Sequence, residues 1–141
     1  SVLRSNPEAL WDRSGKVPVF RLPELLRHLP AVPDESLALV FCWHLFDLVP
    51  HAAIAELFDR LMRCLQPGGV LFCLVREPYL PAGADNDWWL ETLATLGKNG
   101  AGKAPFAYPP ITNRQMESLA PMGSVKTFLT RAGLREVVVL K

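Results

Sequence analysis

The chain carries almost no excess charge of either sign: 15 Lys and Arg stand against 14 Asp and Glu, a formal net charge of +1 in 141 residues. A nucleic-acid surface or an acidic lipid face attracts proteins that concentrate Lys and Arg, so no nucleic acid and no membrane are expected as partners. Cysteine is scarce as well. Cys42, Cys64 and Cys73 are odd in number, lie in apolar surroundings and form no C-x-x-C spacing. That excludes a disulfide framework and a zinc ribbon, and it is the pattern of reduced core thiols in an intracellular, cytoplasmic protein. Long hydrophobic runs are missing too. The longest, Leu37 to Pro50, is interrupted by His44 and Asp47 and falls short of the roughly 20 residues that span a bilayer. The polar first 16 residues show no charged-then-apolar leader pattern.

Half of the residues are hydrophobic and 21% are charged, a balance that suits one compact domain over residues 1–141 with a full-sized core. The segment LALVFCW, Leu37 to Trp43, is apolar at every position. Such a run predicts a strand covered on both faces. His51 to Leu65 places Ile54, Leu57, Phe58, Leu61, Met62 and Leu65 at spacings of three and four, which predicts an amphipathic helix. Gln66-Pro67-Gly68-Gly69 stops it, with Gly68 or Gly69 supplying a positive φ, and Val70 to Val75 predicts a second buried strand. Strand, helix, tight turn and strand make a βαβ unit with parallel strands.

Around this unit the signals are more local. Ser5 and Glu8 have capping-box spacing for a short helix through Trp11, Val17 to Phe20 is a short strand candidate, and Pro23 opens a helical turn carrying Leu25, Leu26 and Leu29. A helix over Trp88 to Leu96, capped from Asp85 to Asp87 and ended by Gly97, is expected next. Thr112 with Gln115 forms a second capping box, with Ile111 stapling to Met116. A last helix over Val125 to Leu134, stopped by Gly133, and a last strand over Arg135 to Leu140 complete the reading.

Gly97 to Ala104, GKNGAGKA, comes within one residue of the phosphate-binding signature G-x-x-x-x-G-K-[ST]. That loop needs a Ser or Thr to hold Mg²⁺ and a strand before it. Ala104 has no hydroxyl and a helix is expected upstream, so residues 97–110 read as a flexible basic loop.

The stretch from Leu29-Pro30 through Asp34, Ser36 and Val40 to Leu65-Gln66-Pro67-Gly68-Gly69, with Ala132-Gly133-Leu134 near the end, resembles the C-terminal half of the class I S-adenosylmethionine-dependent methyltransferases. The resemblance covers about residues 17–140. It implies an α/β fold with a Rossmann-like, mostly parallel sheet that is incomplete on its N-terminal side, and methyl transfer to a small molecule. The family's glycine-rich cofactor loop and its ribose-binding acid have no counterpart in the sequence, and Ala38 stands where the family has an acid. The chain therefore reads as a fragment or as a catalytically silent relative that acts as an interaction module. Without the family's first strand the Leu37 to Trp43 edge would be open, and a homodimer through that edge is expected.

The same resemblance assigns S-adenosylmethionine to Asp34, Cys42, Trp43 and an adenine-side acid position that falls at Glu24 counted forward from Val17 to Phe20 and at Leu25 counted back from Leu29-Pro30, Glu24 being preferred. Ligands of open α/β sheets bind beyond the carboxyl ends of strands, which draws attention to Trp43, His44 and Asp47 after the first long strand and Glu77 after the second. His44 is the catalytic candidate, as a proton acceptor, because imidazole titrates near neutrality. Asp47, Glu77, Trp88 and Trp89 are candidate substrate contacts, the two tryptophans joining Tyr79, Phe106 and Tyr108 around an apolar pocket. No metal site is expected.

Overall fold

The computed structural model describes residues 6–77, 87–92, 95–99, 108–130 and 134–141. A 3-10 turn, Pro7–Leu10, leads into strand β1 (Trp11–Asp12), which pairs antiparallel with β2 (Val19–Phe20). Helix α1 (Leu22–Arg27) has Pro23 in its first turn and buries Leu22 and Leu25. There the missing N–H of proline costs no helical hydrogen bond. The capping function foreseen for Ser5 lies outside the described residues; Asn6 is the cap residue of the 3-10 turn and makes no side-chain bond.

The centre of the molecule is a four-stranded sheet in the order β3-β4-β8-β7. Strand β3 (Leu37–Trp43), helix α2 (His51–Cys64) and strand β4 (Leu65–Arg76) form the foreseen unit, with β3 and β4 parallel and Cys42 opposite Cys73. The Gln66-Pro67-Gly68-Gly69 stretch is absorbed as a shift in register: Leu37 pairs with Leu65 and Leu39 with Val70. Gly68 supplies the positive φ of 76°. Gly69 is there for space, since a Cβ at that position would come within 2.8 Å of the Gln66 carbonyl oxygen.

Beyond this unit the expected sheet is overturned. Strand β8 (Leu134–Leu140) runs antiparallel to β4, and β7 (Val125–Leu129) runs antiparallel to β8. Only the β3–β4 pairing in the sheet is parallel, so the architecture is a mixed sheet with few helices and not a Rossmann-like, mostly parallel one. The short connection between β7 and β8 makes that pair antiparallel, because a parallel neighbour needs a crossover of a dozen or more residues.

Two expected helices are strands. Residues foreseen as the Trp88–Leu96 helix form an antiparallel hairpin of β5 (Asp87–Thr92) and β6 (Thr95–Asn99). Tryptophan and threonine at 88, 89, 92 and 95 favour extended backbone, and that preference prevails over helical spacing. The foreseen Val125 helix is β7, where Val125, Thr127 and Phe128 again prefer the pleated surface. Gly133, its expected stop, lies outside the described residues. Helix α3 (Asn113–Leu119) follows the sequence reading: Thr112 accepts from the Gln115 N–H at 3.2 Å, Gln115 Oε1 accepts from the Thr112 N–H at 2.8 Å, and Ile111 and Met116 are both buried.

One face of the central sheet is sealed. Cys42, Leu71, Cys73, Val75, Val137 and Val139 are buried there in one core with Ile54, Leu57, Phe58 and Leu61 of α2. Each fully buried Leu or Phe contributes roughly 1.5–3 kcal/mol, so this layer dominates stability. The other face is not covered as the apolar run had suggested: Leu39 is 56% exposed, Phe41 51%, Phe128 54% and Leu140 47%. Among the described residues, no helix is long and apolar enough to cross a membrane.

Candidate functional site

The carboxyl ends of the parallel pair converge. The β3 strand ends at Trp43, and His44 turns the chain through a left-handed conformation, φ 54° and ψ 16°, into a 3-10 turn over Leu45–Asp47. A non-glycine residue in this region is held there by its surroundings. Two contacts do so: the His44 N–H donates to the Leu74 carbonyl at 2.9 Å, and the His44 ring Nδ1 lies 2.8 Å from Asp47 Oδ2.

Asp47 is the hub. Its carboxylate is inaccessible to solvent, yet Oδ2 also accepts the Arg76 backbone N–H at 2.9 Å and Oδ1 faces Arg76 Nε at 3.5 Å. A buried carboxylate is tolerable only when charge and donors surround it, and here both come from the end of β4. Facing a carboxylate, Nδ1 is the ring nitrogen that donates, and this contact fixes the orientation of the His44 ring.

A buried cation also ties this end of the sheet together. Arg135, on β8, donates from Nη2 to the Arg76 carbonyl at 2.8 Å and to the Ile111 carbonyl, and from Nη1 to Asn113 Oδ1 at 2.5 Å, while Glu77 lies 3.6 Å from its Nε. Burial lowers the pKa of the Arg135 guanidinium below its usual value, and the negative charges of Glu77 and Asp47 act against that shift. Arg76 Nη2 reaches the Tyr108 carbonyl at 2.5 Å. Burial raises the Tyr108 phenol, whose ring lies 6.4 Å from Trp11.

The structure therefore brings Trp43, His44, Asp47 and Glu77 to one end of the sheet, and adds Arg76 and Arg135. Trp43 is half-buried against Phe41, with ring centroids 5.4 Å apart, and its indole Nε1–H is buried with no acceptor. Glu24 and Asp34 lie apart. Glu24 pairs with Arg27 at 2.7 Å on α1, and Asp34 pairs with Arg60 at 2.8 Å before the start of β3, whose seven residues extend over about 23 Å. Cys42 is buried on the sealed face and lines a groove of about 580 Å³ beside β3, with Leu26, Leu29, Val32, Val40 and Leu61. Trp88 and Trp89 lie on β5, opposite Lys98 and Gly97 of β6. Tyr79, Phe106 and residues 100–107 of the expected 97–110 loop fall outside the described residues, while Gly97, Lys98 and Asn99, expected in that loop, lie on β6. Among the described residues, no three His, Cys, Asp or Glu side chains are grouped to hold a metal.

Arg76 and Arg135 were missed by sequence reasoning, although Arg135 had a signal. It shares strand parity with Val137 and Val139 and so puts a charge on the buried side of an otherwise apolar strand.

No protein-family model matches the chain, and no curated protein matches it. Among solved structures it is similar to a possible exported protein from Bordetella parapertussis, with 18% identity and a TM-score of 0.53 over 78% of this chain. The chain spans 40% of that neighbour's length. Likeness at this identity concerns the fold alone.

Proposed function

We propose that the chain is part of an S-adenosylmethionine-dependent methyltransferase that acts on a small molecule. The observation that carries this reading is the convergence of Trp43, His44 and Glu77 at the carboxyl ends of a parallel β3–α2–β4 unit, with His44 oriented by a buried carboxylate. The reading rests on this unit and its sequence resemblance, and not on the sheet as a whole.

The chemistry asks little of the protein beyond placement. An acceptor atom attacks the sulfonium methyl in line, the carbon–sulfur bond breaks, and S-adenosylhomocysteine leaves, so the rate depends mainly on holding the two reactants in register. Trp43 offers an aromatic face to the cofactor. His44, its ring held by Asp47, is the residue assigned to take the proton that the acceptor loses.

The test is a thermal melt with S-adenosylhomocysteine at about a hundred times its dissociation constant, which stabilises a binding fold by about 2.7 kcal/mol. A melting point that rises in the wild type and not in Trp43→Ala supports the reading. An unshifted melt in a well-folded sample removes the cofactor from this chain. A second reading, a catalytically silent interaction module, is favoured by the apolar edge of β3, which has no partner strand on its outer side among the described residues.

A further inference from the structure

On β8 the side that carries Val137 and Val139 is apolar and sealed, and Arg135 continues that side opposite Val75, with 3% of its surface exposed. An apolar side chain there would extend the core without a desolvation cost, and buried charges replaced by packed apolar groups of like volume often leave a fold as stable or more so. Stability alone does not account for the arginine.

Its donors are directed at the main chain beside the site. Nε and Nη2 both reach the Arg76 carbonyl, at 3.1 and 2.8 Å, Nη2 also donates to the Ile111 carbonyl, and Nη1 donates to Asn113 Oδ1 at 2.5 Å. Arg76 carries the N–H that Asp47 Oδ2 accepts at 2.9 Å, and that same oxygen lies 2.8 Å from His44 Nδ1. The next residue, Glu77, sets its carboxylate 3.6 Å from Arg135 Nε. One guanidinium thus grips the main chain from which Asp47 is held and on which Glu77 stands.

We propose that Arg135 is a positioning residue of this site: by clamping the Arg76 carbonyl it sets the Arg76 N–H on Asp47, and through Asp47 the ring of His44, while it sets the carboxylate of Glu77 directly. Its consequence for methyl transfer rests on the methyltransferase reading; its hold on His44 does not. The role demands arginine. Lysine keeps the charge, but its compact ammonium cannot reproduce the planar fork that meets one carbonyl twice and reaches two further acceptors.

The test reads the His44 ring by proton NMR in protein labelled with nitrogen-15 at its three histidines, the His44 signals being those missing from H44Q. The wild type shows a downfield Nδ1–H resonance, as expected of a proton shared with a buried carboxylate. In R135K that resonance moves upfield or broadens away, and in R135M it does so more severely. N113A removes one acceptor of the guanidinium without touching the site, and it shifts the resonance in the same direction by less. V139T puts a hydroxyl into the same sealed face farther from the site, lowers the melting point and leaves the resonance in place. An unchanged His44 resonance in every folded variant at 135 and 113 overturns the proposal. A resonance lost equally in V139T overturns it too, because the signal would then report stability and not position. S-adenosylhomocysteine titrated into the same samples separates the two claims. Binding that is weaker in R135K by roughly tenfold or more supports both. A wild type that does not bind, beside an R135K protein in which His44 is displaced, removes the methyltransferase reading and supports the positioning role.

Discussion

The two borders of β3 are built on opposite principles. At its carboxyl end the chain is polar, buried and tied: Asp47 receives the His44 ring and the Arg76 N–H, and Arg135 binds the Arg76 and Ile111 carbonyls. Along its open side it is apolar, exposed and untied, with Leu39 and Phe41 in solvent. Buried polar groups demand one geometry, because each missing partner carries a desolvation cost of about 1–3 kcal/mol. Exposed apolar groups demand only cover and accept it from any surface of matching shape. The first region fixes one arrangement of its groups, and the second leaves the choice of its cover open.

The contrast breaks most sharply at Asp47. Asp47→Ala strands the Arg76 N–H and the His44 ring in the interior and is expected to cost about 3–5 kcal/mol, measured by urea denaturation against the wild type. A matched pair of threonine substitutions sharpens it. Val137→Thr puts a hydroxyl into the sealed face and is expected to cost about 1–3 kcal/mol. Leu39→Thr, on the open face, stays within about 0.5 kcal/mol.

Thiol chemistry extends the comparison to the sealed side of the sheet. Cys42, Cys64 and Cys73 are buried, and the Cys73 thiol is pushed far above its ordinary pKa by its hydrogen bond to Cys42 and by burial. Thiolate is the reactive form. Native protein is therefore expected to leave Ellman's reagent unreacted at pH 8, with full reaction after addition of denaturant.

The smallest effect lies at an exposed control site. The Asp12 carboxyl is held below its ordinary value by the Ser14 hydroxyl and amide, which donate at 2.6 Å and 2.9 Å. A depressed carboxyl lends stability above its unfolded-state pKa and loses it as pH falls through the folded one. Asp12→Asn is therefore expected to differ slightly from wild type at pH 7 and to converge with it near pH 2, read from melting points across that range.

The parts of the fold legible in sequence are those with a strong period or a local chemical signature. Leu37–Trp43 has no polar residue, the stripe of α2 has helical spacing, Gly68 has its positive φ, and Thr112 with Gln115 makes its reciprocal cap. Strand direction has no such signature. The side-chain pattern of β8 is the same whether it runs parallel or antiparallel to β4, and the short connection to β7 fixes its direction relative to β7 alone. Trp88-Trp89 and Thr95 illustrate a second limit, since spacing allowed a helix where residue preference made a hairpin.

The site was half legible. His44 and Asp47 stand three residues apart, and that spacing allows their contact on a 3-10 turn. Their anchors Arg76 and Arg135 come from strands distant in sequence. The open face was illegible for a related reason: an apolar run states that a strand can be covered, while topology decides whether it is.

The most direct test of this contrast is residue-resolved amide hydrogen exchange along β3 in dilute solution. The account predicts alternation: Ala38, Val40, Cys42 and His44, bonded toward β4, exchange slowly, while Leu37, Leu39, Phe41 and Trp43 exchange fast. Uniform protection of both sets in dilute protein would contradict the open edge, and with it the division of β3 into a tied end and an untied side.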